Sequence, residues 1–164
     1  MQRLLKQQLD GIITSKFYVY LNLFSIFVHT IIVITMIKKK IIAFGASNSK
    51  KSINKAFANY TANQIPESEV EILDLNDYEM PIYGIDYEEV NGIPKLAHEF
   101  KERLHTSDGI IISFVEHNGA YSVAFKNIFD WISRIESDVW YNKPMLLLGT
   151  SPGGRGASTV LETA

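Results

Sequence analysis

The sequence predicts an α/β domain built on a parallel sheet, and three features of its 164 residues predict it. Short runs rich in Ile, Val or Leu recur at Lys40 to Phe44, Glu69 to Leu73, Gly109 to Phe114 and Met145 to Gly149. Patterns of helical period lie between them at Ile53 to Ile65, Leu96 to Leu104 and Val123 to Ile135. Alternation of this kind implies parallel strands joined by helical crossovers. The runs Ile110-Ile111-Ile112 and Leu146-Leu147-Leu148 lack any polar alternation, which suits strands buried on both faces by helices. Ligands of open α/β sheets bind outside the carboxyl ends of the strands, so function is expected in the loops after Phe44, Leu73, Phe114 and Gly149.

Composition narrows the classes of activity. A chain with 46% hydrophobic and 21% charged residues has the makings of one globular domain with a real core. A net charge of −2 gives no basic footprint for nucleic acid and no acidic tail, so no polyanionic partner is implied. Cysteine is absent, which excludes disulfides, thiolate metal sites and cysteine nucleophiles together. No acidic cluster has ligand spacing, so no metal site is expected. Redox chemistry in this chain must come from a bound organic cofactor.

Residues 1–37 stand apart from the rest. From Phe17 to Ile37 there is no Asp, Glu, Lys or Arg, and His29 within the run is incidental. A span of about 20 apolar residues crosses a bilayer, so the segment is a membrane-anchor candidate. Arg3, Lys6 and Lys16 precede it and Lys38, Lys39 and Lys40 follow it, so charge sets no orientation. The first strand begins by Lys40 with hardly any linker, which would start a central strand at the membrane surface. Initiation at Met36 is the alternative, with the upstream segment a mistaken extension of a cytoplasmic domain spanning residues 38–164.

The first strand breaks at Gly45 into Ala46-Ser47-Asn48-Ser49-Lys50-Lys51-Ser52, and helical period resumes at Ile53, Phe57 and Tyr60. A helix N-terminus offers unpaired N–H groups and the positive end of its dipole, and Ser47, Ser49, Ser52 and Asn54 add polar groups there, so a phosphate is the natural guest. Three readings compete. Ser and Asn would simply cap the helix; Gly45 to Ser52 would be a nucleoside-triphosphate loop of a kinase or ATPase, although Lys50 stands where its second glycine belongs; or the loop would hold a flavin phosphate, which requires no such glycine.

The later loops favour a flat ligand. Val115-Glu116-His117-Asn118-Gly119-Ala120 follows the third strand and Thr150-Ser151-Pro152-Gly153-Gly154-Arg155-Gly156 the fourth. Glycine and proline at this density let backbone approach a planar ring closely.

With these pieces in view, the chain resembles the NAD(P)H-dependent FMN reductases, a family that includes quinone, azo-dye and chromate reductases. The resemblance runs from Ile37 onward and rests on five pieces in order: Ala46-Ser47 with Ser52-Ile53-Asn54; Asp74-Leu75 to Met80-Pro81-Ile82-Tyr83 with Asp86; Glu116-His117-Asn118-Gly119; Lys126-Asn127 to Asp130-Trp131; and Ser151-Pro152-Gly153-Gly154. It implies a flavodoxin-like doubly wound parallel sheet of strand order 2-1-3-4-5, of which only four strands are visible, so that a last strand and helix are expected to be lacking. It implies that Ser47, Ser49, Ser52, Ile53 and Asn54 hold the FMN phosphate, that Val115, Glu116, His117, Asn118 and Gly119 run along the isoalloxazine ring, and that Ser151, Pro152, Gly153 and Gly154 line its other edge. It places the Lys126 to Arg134 helix at a homodimer or homotetramer interface. The family's usual Arg in the phosphate loop is Ser49 here, its Pro before the Glu is Val115, and its Tyr after the Glu is His117.

The expected activity is transfer of a hydride from NADPH or NADH to FMN and on to a small-molecule electron acceptor by a ping-pong mechanism, with no catalytic side chain. The competing readings are a non-enzymatic flavodoxin-like carrier and, less well supported, the kinase. Elsewhere the ordinary roles are expected: Trp131 with Phe129 and Ile128 in core or interface packing, His98 and His105 on a surface helix, and Asp86, Glu88 and Glu89 in a solvated loop.

Overall fold

The computed structural model describes residues 22–30 and 38–164, which fall in two units, Met1–Lys38 and Lys39–Ala164. In the first unit residues 22–30 are helical, with Leu23, Phe24, Ile26 and Phe27 exposed. The remainder of the Phe17 to Ile37 run, and Met36, lie outside the described residues. Among the described residues no helix is long and apolar enough to cross a membrane.

The second unit is the expected α/β domain. Its elements are β1 (Lys39–Ala46), α1 (Ile53–Ala62), β2 (Ser68–Leu73), a 3-10 turn (Leu75–Tyr78), α2 (Ile85–Asn91), α3 (Lys95–His105), β3 (Gly109–Phe114), α4 (Val123–Ile135), β4 (Met145–Gly149) and α5 (Ser158–Thr163). All strand pairs are parallel in the order β2-β1-β3-β4. In the central register Phe44 stands between Leu73 and Ile112, and Ile112 pairs in turn with Leu147.

Alternating side chains of β1 and β3 divide between two cores, because successive residues of a strand point to opposite faces. On one face Ile41, Ala43 and Ile111 pack against Ala58 and Ala62, whose small size lets α1 lie close to the sheet. On the other, Ile42, Phe44, Ile110 and Ile112 meet Phe100 and Leu104 of α3 and Phe125, Ile128 and Trp131 of α4. Phe44 is fully buried with its ring edge-on to Phe100 at 5.5 Å. Truncating a phenylalanine so placed costs roughly 3–5 kcal/mol.

Three expectations change. Asp86, Glu88 and Glu89 belong to helix α2 rather than to a loop; no residue of it is buried. Glu88 holds it down, accepting from Arg134 Nε at 3.0 Å and from the Tyr83 hydroxyl at 3.2 Å. The helix after the first loop ends at Ala62, short of Ile65, where the Asn63 N–H bonds back to the Asn59 and Thr61 carbonyls. And β4 is not covered on both faces: it is the outer strand of the order, and Leu146 is 45% exposed.

Candidate functional site

The loops after β1, β3 and β4 converge at the carboxyl edge of the sheet. The first is shaped by Gly45. A Cβ there would lie 2.4 Å from the Lys55 backbone nitrogen, so only glycine lets the first turn of α1 close down on the end of β1. Ser52 is the N-cap, in extended conformation, and its Oγ accepts the Lys55 N–H at 3.1 Å. Ser47 is buried, and its Oγ accepts the Ser49 N–H at 3.1 Å. Both hydroxyls receive backbone bonds in this way, which leaves their own protons available to an anion. The amides of Ile53 and Asn54 are among the first-turn donors that a helix leaves unpaired. Capping therefore does not exclude anion binding by the same residues.

Asn54 is a different matter. The family resemblance puts it on the phosphate, but its side chain is 1% exposed and bonded to Ser113 and Thr150. Only its main chain faces the loop as a helix-start donor. Lys55 is also committed: its ammonium is paired with Asp74. That bond holds the Asp74 carboxyl below its usual range, against the opposing effect of burial and with help from Asn76. Lys50 and Lys51 are exposed and flank the loop.

After β3 the chain makes a tight turn, with His117 N–H to Ala120 O at 3.0 Å and Ala120 N–H to His117 O at 3.1 Å. Asn118 at φ 55° and Gly119 at φ 78° occupy its centre. Asn-Gly is the pair that adopts this doubly left-handed turn at least strain. Val115 is half-buried and His117 and Asn118 are exposed. The Glu116 side chain turns away to α5, accepting the Val160 N–H at 3.2 Å. After β4, Ser151 is half-buried while Pro152, Gly153 and Gly154 are exposed, and a Cβ at Gly154 would meet open space. Ser122 completes the frame by donating from Oγ to the Ala46 carbonyl at 2.7 Å and capping α4 through the Phe125 N–H at 3.2 Å.

The loop after β2 is also among those expected to carry function, although none of its residues is among the expected cofactor contacts. It borders a cavity of about 310 Å3 whose walls include Asn48, Tyr78, Met80, Ile82, His117 and Val123. Asn127 fixes this loop, donating to the Met80 and Pro81 carbonyls at 3.1 Å each and accepting the Tyr83 N–H at 2.8 Å. The signal was present in Met80-Pro81-Ile82-Tyr83, but its distance from the phosphate loop in sequence hid the adjacency. Trp131 is wholly buried, and on α4 it is Val123, Lys126 and Arg134 that are exposed.

Residues 39–164 match the model of a family described as NADPH-dependent FMN reductase. The chain belongs to that family. Among curated relatives, the 2-hydroxy-1,4-benzoquinone reductase of Burkholderia sp is 31% identical over 121 residues, 73% of this chain and 64% of the relative. The NADPH azoreductase of Bacillus sp. (strain OY1-2) is 28% identical over 124 residues, 76% of this chain and 65% of that one. Of solved structures, the flavoenzyme NAD(P)H:(acceptor) oxidoreductase FerB of Paracoccus denitrificans superposes with a TM-score of 0.63 at 27% identity, covering 76% of this chain and 68% of FerB. The chain spans 64% and 65% of the length of these two curated relatives, less than two thirds of each.

The residues present fit the family's cofactor. A cradle that a Cβ at Gly45 would distort, two hydroxyls with free protons and the open first turn of α1 suit a phosphate, and the two glycine-bearing turns beside it suit a flat ring. Membership in the reductases displaces the kinase reading; β3 ends at Phe114, and no Asp sits directly at that end to hold Mg²⁺.

Proposed function

We propose that residues 38–164 form the FMN-binding domain of an NAD(P)H-dependent oxidoreductase that reduces a quinone, flavin, azo compound or metal ion by a ping-pong mechanism. The observation that carries the reading is the phosphate cradle at the start of α1, where Ser47 and Ser52 accept backbone N–H groups and keep their own protons for an anion. Family membership supplies the class of chemistry, and the relatives named for quinone and azo substrates supply the range of acceptors.

Bound FMN supplies the redox chemistry, taking a hydride from NADPH or NADH and giving up its electrons to the acceptor. The chain binds and orients. Ser47, Ser49 and Ser52 and the amides of Ile53 and Asn54 hold the phosphate, with Lys50 and Lys51 adding positive charge. The backbone from Val115 to Gly119 borders the ring on one side and Ser151 to Gly154 on the other, so the floor of the site is made of peptide groups rather than mobile side chains. His117 stands at the mouth as a ring-edge contact. No protein acid or base is assigned, because hydride transfer needs none. A ring held in this one crevice would leave nicotinamide and acceptor to share a single open face in turn.

The exposed side of α4, through Val123, Lys126 and Arg134, is the surface proposed for a homodimer or homotetramer. The domain is proposed to act in the cytoplasm, tied to a membrane only where residues 1–37 are translated and anchor it; fractionation of cells expressing the full chain tests this. The mechanism predicts parallel double-reciprocal lines when NAD(P)H is varied at several acceptor concentrations. Intersecting lines would contradict it and require a complex that holds both substrates.

A further inference from the structure

The loops of the cradle are tied to one another, and one tie runs from the phosphate loop to the loop after β4 through a side chain that solvent does not reach. Asn54, the second residue of α1, donates from Nδ2 to the Thr150 carbonyl at 3.0 Å and accepts the Thr150 N–H on Oδ1 at 3.0 Å. The same Oδ1 accepts the hydroxyl proton of Ser113 on β3 at 2.7 Å. Thr150 is the residue immediately before Ser151–Gly154. Ser113 is buried, and in the β1–β3 register it stands opposite Gly45, whose missing side chain lets the α1 turn approach. Two donors, Ser113 and the Thr150 N–H, require oxygen at one end of the amide, and the Thr150 carbonyl requires a donor at the other. Asparagine meets all three; aspartate has no proton for Thr150, and leucine would leave the buried Ser113 hydroxyl and two half-buried groups of Thr150 unpaired.

We propose that Asn54 is a positioning residue: its main chain lies in the anion-binding turn while its side chain clasps Thr150, so the place where the phosphate docks sets the place of the Ser151–Gly154 loop against the ring. This departs from the phosphate-ligand role that the resemblance implies for its side chain, and it rests on the flavin reading above. The phosphate end and the ring end of the site are coupled through one amide.

Riboflavin, which has the ring and ribityl chain of FMN but no phosphate, separates the two roles. Wild-type protein, Asn54→Ser and Ser113→Ala are titrated with FMN and with riboflavin, following flavin fluorescence and visible circular dichroism. A clasp predicts that both dissociation constants rise by the same factor in the variants, about ten-fold for a lost hydrogen bond, and that the dichroism of the bound flavin changes. Weaker FMN with unchanged riboflavin in Asn54→Ser would make Asn54 a phosphate ligand and overturn the proposal, as would unchanged affinity for both. Ser113→Ala lies outside the phosphate loop and decides the matter alone where Asn54→Ser does not fold. Wild-type protein that binds neither flavin would instead overturn the flavin reading, and the clasp with it.

Discussion

The indole N–H of Trp131 donates to the carbonyl of Pro81 at 2.7 Å, with the ring wholly buried and the ring of Tyr83 edge-on to it at 5.0 Å. One side chain of α4 thus fills the core and pins the loop that walls the cavity beside the cradle. Trp131→Phe keeps most of the packing and removes one of the two donors to the Pro81 carbonyl, Asn127 remaining as the other. Stability should fall by about 0.5–1.5 kcal/mol, read as a lower urea midpoint at unchanged slope; an unchanged midpoint would show that the bond contributes nothing.

The N-cap role of Ser52 and the phosphate-donor role proposed for it are separable. As N-cap its loss costs about 1 kcal/mol of stability. As a phosphate donor its loss costs roughly 1.5–3 kcal/mol of FMN binding. Ser52→Ala should therefore lower the melting temperature slightly, weaken FMN by ten-fold or more on that estimate, and leave riboflavin affinity unchanged. Equal weakening of both flavins would mean that the hydroxyl serves only the helix.

The Lys55 and Asp74 pair gives a pH test. Hydrogen bonding from Lys55 is the largest cause holding the Asp74 carboxyl below the ordinary 3.8, so the folded chain binds that proton less readily than the unfolded chain. Its stabilisation is fully present above 3.8 and is lost as pH falls through the depressed value. Both side chains are partly exposed, so the pair contributes no more than about 1 kcal/mol. Denaturant titrations stepped downward from neutral pH should show a smaller acid loss in Lys55→Met than in wild type. Identical pH profiles would remove the pair from the account.

How much of this was legible in sequence depends on the range of the forces involved. The β3 strand was plain because Ile110-Ile111-Ile112 must be buried on both faces, and the loop after it was marked by its glycine, although its two positive φ angles at Asn118 and Gly119 were not read. Helix α2 was not, since Asp86, Glu88 and Glu89 show no apolar period and the segment is held by Arg134 from another element. Leu146 misled because a leucine run does not show which of its faces a helix covers, and this one is 45% exposed. The side chain of Asn54 could not be placed at all: its partners lie 59 and 96 residues further along the chain.

Among the described residues β4 has a strand on one side only. An outer strand with exposed leucine is a template for association. Leu146→Lys should reduce self-association in light scattering at high protein concentration without altering flavin affinity; unchanged scattering would show that this edge takes no part.

The cradle at the start of α1 is proposed to hold FMN within reach of NAD(P)H. The direct measurement is an anaerobic titration of the FMN-loaded protein, freed of unbound flavin, with NADPH and separately with NADH, followed through the visible flavin band. We expect about one FMN per chain and bleaching of that band by at least one of the two nicotinamides, with colour restored by a quinone. A protein that retains no FMN, or whose bound FMN keeps its colour in excess NADPH and NADH, would contradict the account.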